Sequence, residues 1–538
     1  METLPGLLLG FGVALIFVHC AKSALQKASN LPYPPGPRPL PILGNIRQAP
    51  ASFPWLTYQE WARPIVHFQA FNNHTIIINS ATVANDLLEK RSQIYSDRPQ
   101  IPMTTMMGWD FALGFIPYGS RWRQYRRILH QYLRREASLD YRAIELKKIH
   151  DMLRLFLVSP TDFYAHIRSL AAAIIMSTVY NYDIKPTNDP FVDLAEASLQ
   201  RLGASVFPGA MFVNLLPWLR HFPGWLPGFG FQAFCADTRV LTQRMTRDPY
   251  VYAQQNMLEG RDTSSMVAKI LASGKAQGDS KIIAEVAGVA FAAGADTTVS
   301  AVTTFILAMA TNPDIQRKAQ VEIDNVVGSH RLPDFSDREE LPYIEAVYRE
   351  VLRWRPVSSF RFLRDCLLLT SLQGQSSMPN YKVITFLQGP RSFRIFGLLE
   401  LVVVVDGDNT LFRAMCHDES IYPEPDKFKP ERFLSDNGKV TSDPRMNIMA
   451  FGHGRRVCVG QHLADDSVWA SIVSILSVFN IAKARDSSGK EIDIPGGYSD
   501  LLISHPEPFD CAITPRSSKT QTLIEDTANR DYSDTVRS

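Results

Sequence analysis

The apolar and polar positions divide the chain into an apolar leader, a proline-rich break and a long body. Thr3 to Ala21 carries no formal charge and is rich in Leu, Phe, Val and Gly. A helix of that length spans roughly 28 Å, close to the hydrocarbon thickness of a bilayer. Glu2 precedes the run, whereas Lys22, Lys27 and Arg38 follow it. A positive flank on the C-terminal side predicts a single-pass anchor over 1–21 with the body in the cytoplasm. A cleaved signal peptide normally carries its positive charge first. Residues 22–50 read as a basic, Pro-rich hinge. Its stretch Pro32-Tyr33-Pro34-Pro35-Gly36-Pro37-Arg38-Pro39 is a stiff break, because proline locks φ and cannot continue a helix. Apolar spacing predicts helices over 116–158, 189–205, 281–311, 313–327, 338–354 and 460–482. Alternation predicts strands near 65–79 and 493–513. The body, 51–515, therefore reads as one mainly α domain with small β-sheets, and the polar tail 516–538 as disordered.

One helix stands apart. Between Ile282 and Met309 the only formal charges are Glu285 and Asp296. A helix apolar nearly all round is a core helix or a membrane span. Gly288, Gly294, Asp296, Thr297, Thr298, Ser300, Thr303 and Thr304 favour the core, since an acid in mid-span is costly in hydrocarbon. Composition adds exclusions. With 45% hydrophobic and 20% charged residues the chain is not mainly disordered. Fifty-six Lys and Arg against 54 Asp and Glu leave +2, which gives no case for nucleic acid as a partner. The cysteines at 20, 235, 366, 416, 458 and 511 lie far apart without CxxC pairs, which argues against a disulfide scaffold or a Cys-rich zinc site.

Residues 451–460 read Phe-Gly-His-Gly-Arg-Arg-Val-Cys-Val-Gly, an FxxGxRxCxG pattern built on Phe451, Gly454, Arg456, Cys458 and Gly460. An apolar helical run follows. Physically this is a Gly-rich turn that presents one cysteine at a helix start, where backbone N–H groups stabilise a thiolate. Such a cysteine serves as nucleophile, metal ligand or buried hydrophobe.

The decamer resembles the haem-binding loop of the cytochromes P450, here in the style of microsomal, fungal members. Other motifs match in order. Trp122 and Arg126 resemble the WxxxR of helix C. Ala293-Gly294-Ala295-Asp296-Thr297-Thr298 resembles the oxygen-activating stretch of the long central helix. Glu350-Val351-Leu352-Arg353 resembles the ExxR of helix K, and Pro430-Glu431-Arg432-Phe433 the PERF segment. The resemblance implies the cytochrome P450 fold with an N-terminal transmembrane anchor and a haem-thiolate monooxygenase. Cys458 would be the axial ligand of haem b (iron protoporphyrin IX). Its electron density favours O–O cleavage. Arg456 would bind one propionate, Trp122 and Arg126 the other. Asp296 and Thr297 would deliver protons during oxygen activation, although a Thr297 hydroxyl also readily bonds back to the preceding turn. Gly294 would leave room for oxygen. Glu350, Arg353 and Arg432 would form a buried structural ion cluster. Electrons would come from NADPH through a separate NADPH-cytochrome P450 reductase, with cytochrome b5 as a second donor, because the chain shows no P-loop or dinucleotide fingerprint. The basic residues Arg121 to Arg127 suit an acidic donor equally well as a solvated face. The setting would be the endoplasmic reticulum membrane, with the catalytic domain cytosolic and a lipophilic substrate: a terpenoid, steroid or polycyclic aromatic. Met-rich 102–107 and Phe111 through Ile116 read either as substrate-facing or as ordinary core. Competing classes are a haem-thiolate rearrangement or dehydration enzyme without redox partner, and an inactive haem- or lipid-binding membrane protein.

From about Ser358 to Phe412 the resemblance fails. The stretch is longer than expected, carries Leu401-Val402-Val403-Val404-Val405, and resumes the pattern abruptly at Ala414-Met415-Cys416-His417. A true insertion and a translated intron or local frameshift both fit; the second is favoured.

Overall fold

The computed structural model describes residues 33–41, 43–48, 57, 61, 64–70, 73–206, 211–274, 279–357, 361–365, 401–407, 415–443, 446, 449–499 and 501–532. The anchor predicted over 1–21 lies outside the described residues, as do the hinge before Tyr33 and the middle of the 358–412 stretch.

The longer helices are, in chain order, α1 (Ser120–Leu133), α2 (Arg142–Val158), α3 (Phe163–Tyr180), α4 (Pro190–Ser205), α5 (Phe231–Leu258), α6 (Met266–Ser273), α7 (Ser280–Thr311), α8 (Pro313–Val326), α9 (Pro342–Trp354), α10 (Gln461–Val478) and α11 (Ser518–Asp526). Helix α7 is the axis of the body. Asp279 caps it by accepting from the backbone of Lys281 and Ile282. Its C-terminal half, Thr298 to Ala310, is buried throughout, packed among α3, α9 and α10. That burial fits the core reading of this apolar helix.

Sequence spacing missed α3, α5 and α6. Helix α3 is buried from Leu170 to Tyr180, so it shows no polar face for a periodicity to reveal. Helix α5 is polar in composition and carries Pro249 in its interior, a residue that ordinarily marks a helix end. The stretch read as one helix over 116–158 breaks at Arg134, whose backbone is extended.

The strands form two sheets: β1 (Ile65–Ala70), β2 (Asn73–Ile78), β3 (Arg361–Asp365) and β4 (Leu401–Gly407) in one, β5 (Phe479–Lys483) and β6 (Cys511–Pro515) in the other. The first has the order β1-β2-β4-β3. Strands β1 and β2 are an antiparallel hairpin, β4 runs parallel to β2, and β3 pairs antiparallel with β4. Both ends of the anomalous 358–412 stretch therefore enter this sheet. Strand β5 takes residues read as the end of the last helix. Its alternating burial is that of a strand with one face on the core. Of the strand expected over 493–513 only the end is regular, as part of β6.

The hinge from Tyr33 onward lies against the hairpin. The Tyr33 ring stacks on His67 and His74, with centroids 4.4 and 4.7 Å apart. The His67 amide donates to the Pro35 carbonyl at 3.0 Å. A Cβ on Gly36 would fall 1.8 Å from the His67 carbonyl oxygen, so only glycine fits there.

The tail corrects an expectation. Residues 516–532 are ordered in the fold, not disordered. A Ser517–Thr520 capping box starts α11, Ile524 is fully buried, and the Tyr532 hydroxyl meets His150 Nδ1 at 2.7 Å. Polar composition hid this helix, because two buried residues, Thr520 and Ile524, suffice to dock it.

Candidate functional site

A cavity of about 670 Å³ opens between α4, α7, the loop around 109–115, the loop 501–505 and the loop 450–459. Its walls are largely apolar, with Trp109, Leu113, Phe115, Leu199, Val289 and Leu502 among them. Met103 and Met107 are fully buried in the core beside it. The methionines thus take the ordinary-core reading.

Cys458 lies on the cavity wall. Its amide donates to the Phe451 carbonyl at 2.7 Å, closing the turn. Gly452 and Gly454 have φ of +81° and +57°, and a Cβ on Gly454 would fall 2.1 Å from the Leu88 carbonyl oxygen. The Gly454 amide donates to Glu89 Oε2 at 2.6 Å. Gly460 then caps α10, so the sulfur stands at a helix N-terminus. The other described cysteines differ. Cys235, Cys416 and Cys511 are buried, and burial pushes their thiols up to about 11, 12 and 12. Among the described cysteines only Cys458 is exposed.

Positive and donor groups gather on the same wall. Trp122 and Arg126 reach it from α1 and Arg456 from the cysteine loop. Arg126 bonds the Val457 carbonyl, and Arg456 donates to the carbonyls of Ser96, Leu113 and Ile116 at 2.8, 3.0 and 2.9 Å. Burial pushes the Arg126 guanidinium down, and the neighbouring Cys458 sulfur opposes that shift. Arg98, which sequence reading missed, joins them and donates to the Gly114 carbonyl at 2.9 Å. The buried Trp122 Nε1 has no hydrogen-bond partner among the described residues. A buried donor left over in this way, ringed by guanidinium groups beside a thiol, fits an anionic group carried by a thiolate-bound cofactor.

Helix α7 contributes Ala293, Ala295, Asp296, Thr297 and Thr298 to the cavity. The Thr297 hydroxyl donates to the Ala293 carbonyl at 2.9 Å, which holds its oxygen lone pairs ready to accept. Asp296 Oδ1 lies 3.1 Å from His505 Nε2, a partner on the 501–505 loop that no motif pointed to. Gly294 has a different role from the one expected. A Cβ there would come within 2.9 Å of Ile175 on α3, so the glycine serves helix packing and not the cavity.

Away from the cavity, Glu350 and Arg353 meet in the core. Arg353 Nε and Nη2 donate to the Glu350 carboxylate at 2.6 and 2.7 Å, and Arg353 also donates to the carbonyls of Cys416 and Pro425. Arg432 Nε joins Glu350 at 3.2 Å. The expected buried ion cluster is therefore assembled, every member hydrogen-bonded.

A mainly helical body with small sheets, holding an exposed thiol in an apolar cavity ringed by cationic donors, is the architecture of a haem-thiolate protein. Comparison with known proteins agrees. The family model described as Cytochrome P450 matches residues 34–389 and 409–511. Cytochrome P450 monooxygenase 208 of Postia placenta is 37% identical over 95% of this chain and 95% of its own length. Cytochrome P450 monooxygenase COX1 of Coprinopsis cinerea is 35% identical over 95% and 98%. Cytochrome P450 monooxygenase ppsD of Aspergillus oryzae is 35% identical over 91% and 90%. The chain belongs to the cytochrome P450 family and is a monooxygenase of that family, which uses haem, O2 and reducing equivalents. The break in the family match, 390–408, falls inside the 358–412 stretch and is narrower than it.

Proposed function

We propose a membrane-anchored haem-thiolate monooxygenase that inserts one oxygen atom of O2 into a lipophilic terpenoid, steroid or polycyclic aromatic. The observation that carries this reading is the exposed Cys458 sharing one apolar cavity with Asp296 and Thr297. Haem b, when bound, supplies the oxygen activation. Cys458 would hold its iron through the thiolate. Arg456, Arg126, Trp122 and Arg98 would hold its carboxylates, and Phe451, Gly454 and Gly460 would shape the loop. Asp296 holds a proton at the cavity wall and Thr297 passes it inward through its hydroxyl. The apolar wall desolvates and orients the substrate, and cavities of roughly this size take ligands of that class.

Electrons come from NADPH through a separate reductase, with cytochrome b5 as a second donor. The outward side of α1, with Arg121, Arg123 and Arg127 exposed, is the docking face. The setting is the endoplasmic reticulum membrane, with the apolar run 1–21 as anchor. Exposed Phe212, Trp218, Phe222 and Trp225 give the body a second membrane contact. The test is a reduced-CO difference spectrum of the full chain. The parent gives the thiolate-type Soret band and Cys458→Ser loses it; an unchanged band in the variant overturns the ligand assignment.

A further inference from the structure

Asp296, Ser300 and Thr304 are spaced four apart on α7 and so share one face. All three meet the loop 498–505. His505 Nε2 lies 3.1 Å from Asp296 Oδ1. The Ser300 hydroxyl donates to the Ser504 carbonyl at 2.5 Å, and the Thr304 hydroxyl lies 3.1 Å from the Tyr498 hydroxyl. The loop is also braced within itself. The Ser499 amide donates to the His505 carbonyl at 2.8 Å, and the His505 amide to Ser499 Oγ at 3.0 Å. The Ser504 amide donates to the Val357 carbonyl at 2.9 Å. A polar stripe on the central helix thus fixes the imidazole beside the acid.

Both side chains line the cavity and both retain contact with solvent, at 20% exposure for His505 and 36% for Asp296. The other charged groups that line the cavity are engaged elsewhere. Arg168 pairs with Glu196 at 3.3 Å, and Arg98, Arg126 and Arg456 bond backbone carbonyls. Arg355 stacks over the Tyr498 ring, and the Glu507 carboxylate lies against Gly497. The ion partner of Asp296 among the described residues is His505.

We propose that His505 is the positioning residue of Asp296 and the source of its protons. This rests on the proton-delivery reading of Asp296 and Thr297. As imidazolium, His505 donates Nε2–H to Oδ1 and holds the carboxylate at the wall. It passes that proton to Asp296, becoming neutral imidazole, while Asp296 becomes the carboxylic acid. Asp296 yields the proton inward and returns to carboxylate, and the imidazole takes a new proton from solvent water. One proton crosses per cycle and no electrons move. Imidazole suits this step because its charge changes near neutral pH.

The test uses the holoenzyme with its reductase and no added substrate, and reads the fraction of consumed NADPH recovered as hydrogen peroxide. Asp296→Asn, Thr297→Ala, His505→Ala and His505→Gln each raise that fraction at least twofold with the reduced-CO band retained. His505→Gln keeps a hydrogen-bond donor and cannot shuttle a proton, so it separates proton supply from mere packing. If Asp296→Asn and Thr297→Ala raise the fraction and His505→Gln does not, the role of His505 is overturned and the earlier reading stands. If none of the variants changes it, both fall. A second readout needs no turnover: deuterium exchange at the His505 C2–H, followed by mass spectrometry against pH. The exchange rate differs between Asp296→Asn and the parent; identical profiles overturn the pairing.

Discussion

At the scale of single residues, two kinds of charge appear, and the chain treats them differently. Arg98, Arg126 and Arg456 at the cavity have donors on backbone carbonyls, whereas Arg353 and Glu350 neutralise each other in a site with almost no solvent. Such a pair contributes little net stability as a whole, but removing one partner strands the other charge, at a cost of about 3–5 kcal/mol. Glu350→Met, which strands both Arg353 and Arg432, is therefore expected to lower unfolding stability by about that amount and to lose haem. The same deletion at the exposed Arg168–Glu196 pair costs less than about 1 kcal/mol. Urea unfolding of the two variants beside the parent checks both values. Sequence motifs named Glu350, Arg353 and Arg432 directly. They did not name the carbonyls of Cys416 and Pro425 that complete the site, because backbone partners leave no residue-type signature.

At the scale of elements, helix contacts explain residues that chemistry alone misassigns. Gly294 sits in a stretch whose pattern suggests a role at the cavity, yet its missing side chain makes room for Ile175. Gly294→Ala is expected to destabilise the α3–α7 contact by about 1–3 kcal/mol. Ile175→Val in the same chain restores part of that loss, since it removes Cδ1 at 2.9 Å and leaves Cγ1 at 2.9 Å. Failure of rescue in thermal unfolding would return Gly294 to the cavity. The contact of α2 with the C-terminal segment yields a pH prediction. Burial, then Arg530 and Arg154, holds His150 down at about 3, and burial with His74 holds His67 at about 4. Both lie below the ordinary imidazole value of about 6.5. The unfolded chain thus takes up protons first as pH falls. Stability is full above about 6.5 and drains towards 3, by up to about 1.4 kcal/mol per pH unit for His150. His150→Phe is expected to flatten this slope between pH 6.5 and 4 in unfolding titrations, at the cost of the Tyr532 hydrogen bond.

At the scale of the whole molecule, what the sequence made legible and what it hid follow from where the information lies. The cysteine loop, the two halves of the ion cluster and α7 are local patterns, each legible in one short or periodic stretch of sequence. His505 is more than 200 positions from Asp296 and became visible only when the fold joined the two elements. Helices α3 and α5 were missed for opposite reasons, one too uniformly apolar and the other too polar. The proposed membrane contact is similarly divided between distant parts of the chain. The apolar run 1–21 is contiguous and legible. Phe212, Trp218, Phe222 and Trp225 lie in a segment with no regular period, and only their exposures of 75%, 55%, 40% and 80% mark them as a surface. Large aromatic rings left in water are unfavourable, and tryptophan gains at a lipid interface. The two attachments are therefore expected to act in parallel. A chain lacking residues 1–21 remains bound to phosphatidylcholine vesicles through the aromatic surface. Adding Trp218→Ser and Trp225→Ser to that chain lowers vesicle partitioning at least about tenfold, because burying even part of each indole is worth about 1 kcal/mol or more. Flotation of the three chains on one density gradient decides it. Equal partitioning of the truncated chain with and without its two tryptophans would leave the N-terminal run as the whole of the attachment.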